Sequence, residues 1–387
     1  MDLDFTPREE EFRRIARAWL EANVPAAPLL SMDTAEGFEQ HRVWERQLYE
    51  GGWSAVSWPV EYGGRGANLI EWLIFEEEYY RAGAPGRVNQ NGIFLLGPTI
   101  IQLGTDEQKA RILPAMASGD EIWCQGWSEP DAGSDLAAIR SRAVRHGDDY
   151  VLDGQKTWCS RGAFADWMFG LFRTDPSAER HRGLTFILVP MHAEGVTVRP
   201  IAQLDGDPGF AEVFLDGVRV PASNVVGDED RGWAVAMATA GFERGLSLRS
   251  PARYSETARR LVELYGRVAS SAEPAVGDEV VRGWMDAEAY RLHTYWTVSR
   301  IIDGGTIGAE ASLNKLWWSE MDLRLHELAL RLLGPAGELL ADAPDSVDDG
   351  RWLDGFLFAL AGPIYAGTNE IQRNVVADRV LSLPRST

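Results

Sequence analysis

The chain has 387 residues, more than one ordinary core needs, and two or three packed units are expected. Its 38 Lys and Arg against 58 Asp and Glu give a formal charge of −20, which argues against nucleic acid or an anionic membrane as a partner. The only cysteines, Cys124 and Cys159, make no disulfide framework and no metal cluster, so no metal is expected. The N-terminus is charged and amphipathic rather than a secretion signal, and no apolar run reaches the about 18 residues of a membrane span; a soluble cytoplasmic protein is the expectation.

Thr6 and Pro7 open the first helix as cap and first-turn proline, and Phe12, Ile15, Ala16, Trp19 and Leu20 then recur at helical spacing. Helices follow at 39–50, stopped by Gly51 and Gly52, and at 71–81, with Trp72, Phe75 and Tyr79 along one stripe. Two more are expected at 98–103 and 106–117, and the stretch 53–68 between reads as a Gly- and Pro-rich loop. The first unit is therefore helical and ends near Gly119.

From 121 to about 230 the apolar period changes from about 3.6 to 2. Strands are expected at 122–127, 137–144, 150–152, 157–160, 167–174, 184–190, 196–200 and 211–220, a small antiparallel barrel or sandwich. Residues 175–182 read as an exposed hairpin tip. Helical periodicity returns at 233–265, 278–302 and 313–333, the last ended by Gly334 and Pro335. Residues 343–350 read as an acidic, flexible link, and Asn369 as the cap of the final helix with Gln372 three positions on. The fold class is α+β: a helical domain at 1–120, a β domain at 121–231 and a helical bundle at 232–387.

The chemistry concentrates in 121–162. There Ser128, Ser134 and Ser160 alternate with Trp127 and Trp158, offering aromatic faces and hydrogen-bond donors, which is what a flat heteroaromatic cofactor requires. On local pattern alone, a plain antiparallel sheet with core tryptophans is the better account of the stretch.

WSEPDAGSDL followed by YVLDGQKTWCSRG closely resembles the flavin-binding middle domain of the acyl-CoA dehydrogenases, usually written T-E-P-x-A-G-S-D and G-x-K-x-W-I-[TS]-N-[GA]. GPIYAGTNEIQRNVVADRVL near the C-terminus resembles that family's Y-x-G-T block, and WSAVSWPVEYGGRG its N-terminal P-x-E-Y-G-G-x-G loop. The three lie in family order, so the resemblance spans nearly the whole chain and implies the three-part helix–strand–helix architecture, with flavin bound by the middle part and the base and oligomer interface in the last.

The implied reaction is α,β-desaturation of an acyl-CoA thioester. It needs a carboxylate of raised pKa at the α-carbon and hydrogen bonds to the thioester oxygen. FAD takes the β-hydrogen as hydride at N5. The resemblance carries Gln125, Gly126, Trp127 and Ser128 to one side of the flavin ring and Trp158, Cys159 and Ser160 to the other. It carries Ser134 to the pantetheine chain and Thr368, Asn369 and Glu370 to the diphosphate or ribityl part. Many members hold the base as Glu in Y-E-G-T. Here that position is Ala366, which keeps only a backbone N–H for the thioester oxygen. A subset holds the base in a Glu-Arg pair on the helix after the strands, matched by Glu243 and Arg244; Glu243 is then the base and Arg244 meets CoA. Trp72 and Phe94 are candidates for the acyl pocket.

Two family segments that reach a neighbouring subunit's flavin are altered. The first is unrecognisable at 265–274, and the second has become Arg331-Leu332-Leu333-Gly334-Pro335. A proline and a bulky arginine disturb a backbone cradle for a diphosphate. A tetramer with a related subunit is therefore expected, of the kind that degrades steroid side chains, with a homo-oligomer the alternative. The expected partners are an acyl-CoA and an electron-transfer flavoprotein. Alternative functions are an oxygen-using acyl-CoA oxidase and a non-catalytic structural subunit.

Overall fold

The computed structural model describes residues 4–244, 250–268, 274–305, 307–341 and 343–384, with only the backbone of Glu243, Arg244 and Pro274. Five helices come first: α1 (Pro7–Asn23), α2 (Ala35–Glu50), α3 (Leu69–Arg81), α4 (Gly97–Leu103) and α5 (Asp106–Ser118). Eight strands follow: β1 (Trp123–Gly126), β2 (Arg142–His146), β3 (Asp149–Ser160), β4 (Trp167–Arg173), β5 (Leu184–Pro190), β6 (Val196–Ile201), β7 (Phe210–Pro221) and β8 (Val225–Val226). The last helices are α6 (Gly232–Arg244), α7 (Pro251–Val268), α8 (Pro274–Ile302), α9 (Ala311–Leu333), α10 (Arg351–Leu360) and α11 (Asn369–Val375).

The N-terminal cap is a reciprocal one. The Thr6 hydroxyl accepts from Glu9 N at 3.3 Å while the Glu9 carboxylate accepts from Thr6 N at 2.7 Å. Other details differ from expectation for identifiable reasons. Residues 137–141 are not strand: a single turn of helix occupies Leu136–Ala138, and β2 begins only at Arg142. The two short strands expected at 150–160 are one, β3, whose pairing with β7 slips at Leu152/Gly154 and again at Lys156/Cys159. The long helix expected at 233–265 is two, because Ser250 is not helical and Pro251, lacking an N–H, suits a first turn. Thr368, not Asn369, caps α11, its hydroxyl accepting from Ile371 N at 3.3 Å. The acidic stretch at 343–350 is anchored, since Asp348 pairs with Arg267 at 2.6 Å and accepts from Trp352 Nε1 at 2.8 Å.

By contact the chain forms two compact units that do not follow chain order: residues 23–67 with 85–243, and residues 1–22 with 68–84 and 244–387. The first holds the sheet, in strand order β6-β7-β3-β2-β4-β5-β8 with β1 on β4. The sheet is mixed, because β1 and β2 each meet β4 in parallel while the remaining pairs are antiparallel. Alternation places Tyr150, Leu152, Cys159, Val213, Val218 and Val220 in one core.

In the second unit α7, α8 and α9 share a core around Tyr254, Leu261, Tyr290, Trp318 and Leu325. Charges tie α1 to α3 there: Arg13 reaches Glu77 and Glu78, each at 2.9 Å, and Arg17 reaches Glu78 at 2.8 Å. Tyr295 of α8 donates its hydroxyl to Glu77 at 2.8 Å.

Candidate active site

The parallel pairing of β1 with β4 sets Gln125 beside Phe169 and Gly126 beside Gly170. Trp127 then turns inward, 8% exposed, with its ring edge-on to Phe169 and Phe186 at centroid distances of 6.3 and 6.5 Å. Among the described residues its indole Nε1 has no hydrogen-bond partner. Ser128 is half-buried, and Ser134 lies exposed in the loop beyond the Glu129–Ala132 bridge.

The second strip is shaped by a β-bulge. Between Lys156, opposite Val213, and Cys159, opposite Ala211, two residues of β3 face one of β7. Thr157 N donates instead to Ser128 O at 2.9 Å, so the two strips are joined directly. Trp158 takes up the distortion with φ of 59°, a left-handed conformation costly for a residue with a Cβ. The bulge swings its ring outward: it is 58% exposed and meets the edge of Phe210 at a centroid distance of 5.8 Å. Ser160 pairs with Phe210 in the ladder and is half-buried. Cys159 points into the core, where burial pushes its thiol pKa up to about 12, and Cys124 is buried and raised likewise. The earlier slip rests on Gly154, with φ of 145°, where a Cβ would lie 2.3 Å from the Ser141 hydroxyl.

Beneath both strips lies an ion pair that is not among the sequence-predicted site residues. Lys156 is fully buried, and its ammonium donates to Glu129 at 2.8 Å, to Leu171 O at 2.7 Å and to Trp127 O at 3.4 Å. The Glu129 carboxylate also accepts from Arg140 N at 2.6 Å and Ser141 N at 2.9 Å. Burial works against charge on Glu129, but the Lys156 ammonium and those donors prevail and hold its pKa below the usual value. For Lys156 burial dominates and lowers the ammonium's pKa, with Glu129 opposing. The period of β3 was the available signal: Lys156 falls on the inward side with Tyr150 and Leu152.

The other unit carries the C-terminal candidates. Ala366 and Gly367 are both left-handed, φ 58° and 78°, and Gln372 Nε2 fastens their carbonyls at 3.0 and 3.1 Å. Among the described residues the Ala366 N–H has no acceptor. The Thr368 hydroxyl is spent on the cap, and Glu370 is exposed at the start of α11, where the backbone N–H groups and Thr368 hold its carboxyl below the usual range. The Asn369 side chain is buried and turned toward α9, accepting from Lys315 Nζ at 2.7 Å and Ser319 Oγ at 3.1 Å, so only its backbone is left for a ligand.

Glu243 and Arg244 end α6, and their side chains lie outside the described residues. Part of the altered segment at 265–274 also lies outside them. Arg331 is paired with Glu279 at 2.7 Å, and residues Gly334–Glu338 form a tight helical turn. Trp72 is core in its unit, 3% exposed, while Phe94 is half-buried beneath Arg87 in the other. Among the described residues no cluster of His, Cys, Asp or Glu is placed to hold a metal, and no helix is long and apolar enough to cross a membrane.

Three family models match in succession: acyl-CoA dehydrogenase N-terminal domain at residues 6–120, middle domain at 124–218 and C-terminal domain at 230–381. Acyl-CoA dehydrogenase IpdE1 of Mycobacterium tuberculosis is 41% identical over 385 residues, 97% of this chain and 98% of its own. The solved Tcur3481-Tcur3483 steroid ACAD superposes with a TM-score of 0.89 at 31% identity, covering 100% of both chains. The ChsE4-ChsE5 complex from Mycobacterium tuberculosis does so with a TM-score of 0.83 at 33% identity, again covering 100% of both.

Proposed function

As the chain belongs to the acyl-CoA dehydrogenase family and is an oxidoreductase of that kind, we propose that it is the flavin-holding, base-bearing subunit of a hetero-oligomeric acyl-CoA dehydrogenase. Members of the family are flavoproteins, and FAD fits the residues present. An exposed indole on a strained bulge, a half-buried serine on each strip and an unpartnered buried indole N–H suit a flat ring with polar edges. FAD when bound supplies the acceptor for the substrate's β-hydrogen. Gln125, Trp127 and Ser128 would hold one side of it, Trp158 and Ser160 the other, and the turn at Thr368, Asn369 and Glu370 its diphosphate or ribityl part.

Ala366 carries the mechanistic reading. Its methyl group cannot take a proton, yet its N–H is without an acceptor and held by a left-handed turn, a donor suited to the charge that develops on a thioester oxygen. The acid that removes the α-proton must then stand elsewhere, and Glu243 at the end of α6 is the candidate. Arg244 is assigned to the CoA moiety and Ser134 to the pantetheine.

The two-chain assemblies named for the relatives, and the altered segment at Arg331–Pro335, support a related partner subunit within a tetramer. The steroid named for one of them supports a bulky CoA ester as substrate. An electron-transfer flavoprotein is the proposed acceptor. The test is Glu243→Gln, co-expressed with the partner: flavin colour is retained and desaturation is abolished. Retained turnover overturns the base assignment. Ala366 also favours a second reading, a non-catalytic subunit supporting an active sibling, which predicts a colourless chain.

A further inference from the structure

Lys156 stands two residues before Trp158 on β3, yet its ammonium lies against three other segments: the Trp127 carbonyl on the first strip, Leu171 on β4 and Glu129 at the root of the 129–141 loop. Glu129 in turn gathers the far end of that loop through Arg140 N and Ser141 N. Core filling does not call for a cation here. An unbranched apolar side chain would occupy the same space beside Phe172, and buried ion pairs commonly add little stability over apolar groups of similar shape. What the ion pair adds is direction, because each of its hydrogen bonds fixes a distance between segments that the sheet ladder leaves free. The bulge has removed the ladder at this point, since Thr157 no longer pairs with β7.

We propose that Glu129 and Lys156 are a positioning pair that sets the gap between the 127–128 strip and the 157–160 strip, and so determines how tightly the flavin ring is gripped. The inference rests on the flavin reading above. It makes the grip depend on a charge that touches no part of the cofactor. Removing the ammonium leaves Glu129 buried with the Arg173 guanidinium of β4 as its remaining counter-charge and no cation hydrogen-bonded to it, and a carboxylate so placed takes up a proton more readily. The resulting pH dependence is one that a mere packing defect does not produce.

The experiment uses the full chain with its partner subunit, stripped of flavin and titrated with FAD between about pH 6 and pH 8, with folding followed by circular dichroism. Wild type binds with an affinity that is level across this range. Lys156→Met binds at least about tenfold more weakly at the upper end and regains part of the loss at the lower, as Glu129 becomes neutral. Lys156→Met with Glu129→Gln is weak but level, because the titrating carboxyl is gone and Arg173 stays charged across this range. A folded Lys156→Met that binds as wild type does, or weakens equally at every pH, overturns the positioning role. If that variant does not fold, the double variant decides: wild-type affinity overturns the role, and a loss of about tenfold or more supports it. A wild-type complex that takes up no FAD overturns the flavin reading itself, and this inference with it.

Discussion

The hydroxyls of Thr99 on α4 and Thr239 on α6 lie 2.9 Å apart, both fully buried. Each is also within reach of a carbonyl one turn back in its own helix, Leu95 at 2.8 Å and Val235 at 2.9 Å, so two hydrogens serve three contacts. Thr239 precedes Glu243 by one helical turn, and the contact fixes the helix that ends in the candidate base. Thr239→Val is expected to cost about 1 kcal/mol, and Thr99→Val the same. The double variant should cost less than the sum, because neither hydroxyl is then left facing a methyl group. Denaturant midpoints of the three variants check this.

Trp158→Gly separates folding from cofactor binding. The substitution releases about 1–2 kcal/mol of left-handed strain. It forfeits the edge contact with Phe210, about 1 kcal/mol, and adds a similar entropic cost from glycine in the unfolded chain. The flavin-free protein should therefore keep its stability to within about 1 kcal/mol while FAD affinity falls more than about tenfold. Thermal melts of the stripped protein beside FAD titrations read the two effects.

The cysteines should be inert. Cys124 and Cys159 are buried, and burial raises both thiols, Cys159 to about 12, so little thiolate forms at neutral pH. A thiol-specific reagent is expected to titrate neither in the native protein and both after unfolding.

Acid should destabilise the protein from below its ordinary carboxyl range. Burial raises the pKa of Glu78, but hydrogen bonds from Arg17 and Arg13 and the charge of Arg81 outweigh it, and the net shift is downward, as for Glu129. A carboxyl lower in the folded than the unfolded chain contributes fully above its unfolded value of 4.5 and loses that contribution as pH falls through the folded value. Stability attributable to these groups should be level from neutral pH to about 5 and decline below 4.5, and Glu78→Gln should flatten the decline. Urea midpoints measured across that range test the sign.

The fold was legible where the sequence has a single period. The helices around Trp72 and Leu113 show it through capped ends, and the strands around Phe169 and Ile187 through short apolar runs buried on both faces and bounded by polar turns. It was illegible where hydrogen bonds override pattern. Trp158 and Cys159 read as continuous strand, and nothing local announces that Thr157 will desert β7 for Ser128. Thr368 and Asn369 are both good caps, and the buried Lys315 draws the second inward. Glu129 and Lys156 are charged types normally assigned to the surface, and only the alternation of β3 betrays the lysine.

The grouping of residues 1–22 and 68–84 with 244–387 bears on synthesis. The chain leaves the ribosome from its N-terminus, so Arg13, Arg17 and Glu77 emerge long before Tyr295, and α1 and α3 must wait for nearly the whole polypeptide. Their exposed apolar stripes make the nascent chain a client for holding chaperones through most of translation. The sheet unit, finished by Glu243, is synthesised whole before the late helices and can close without them.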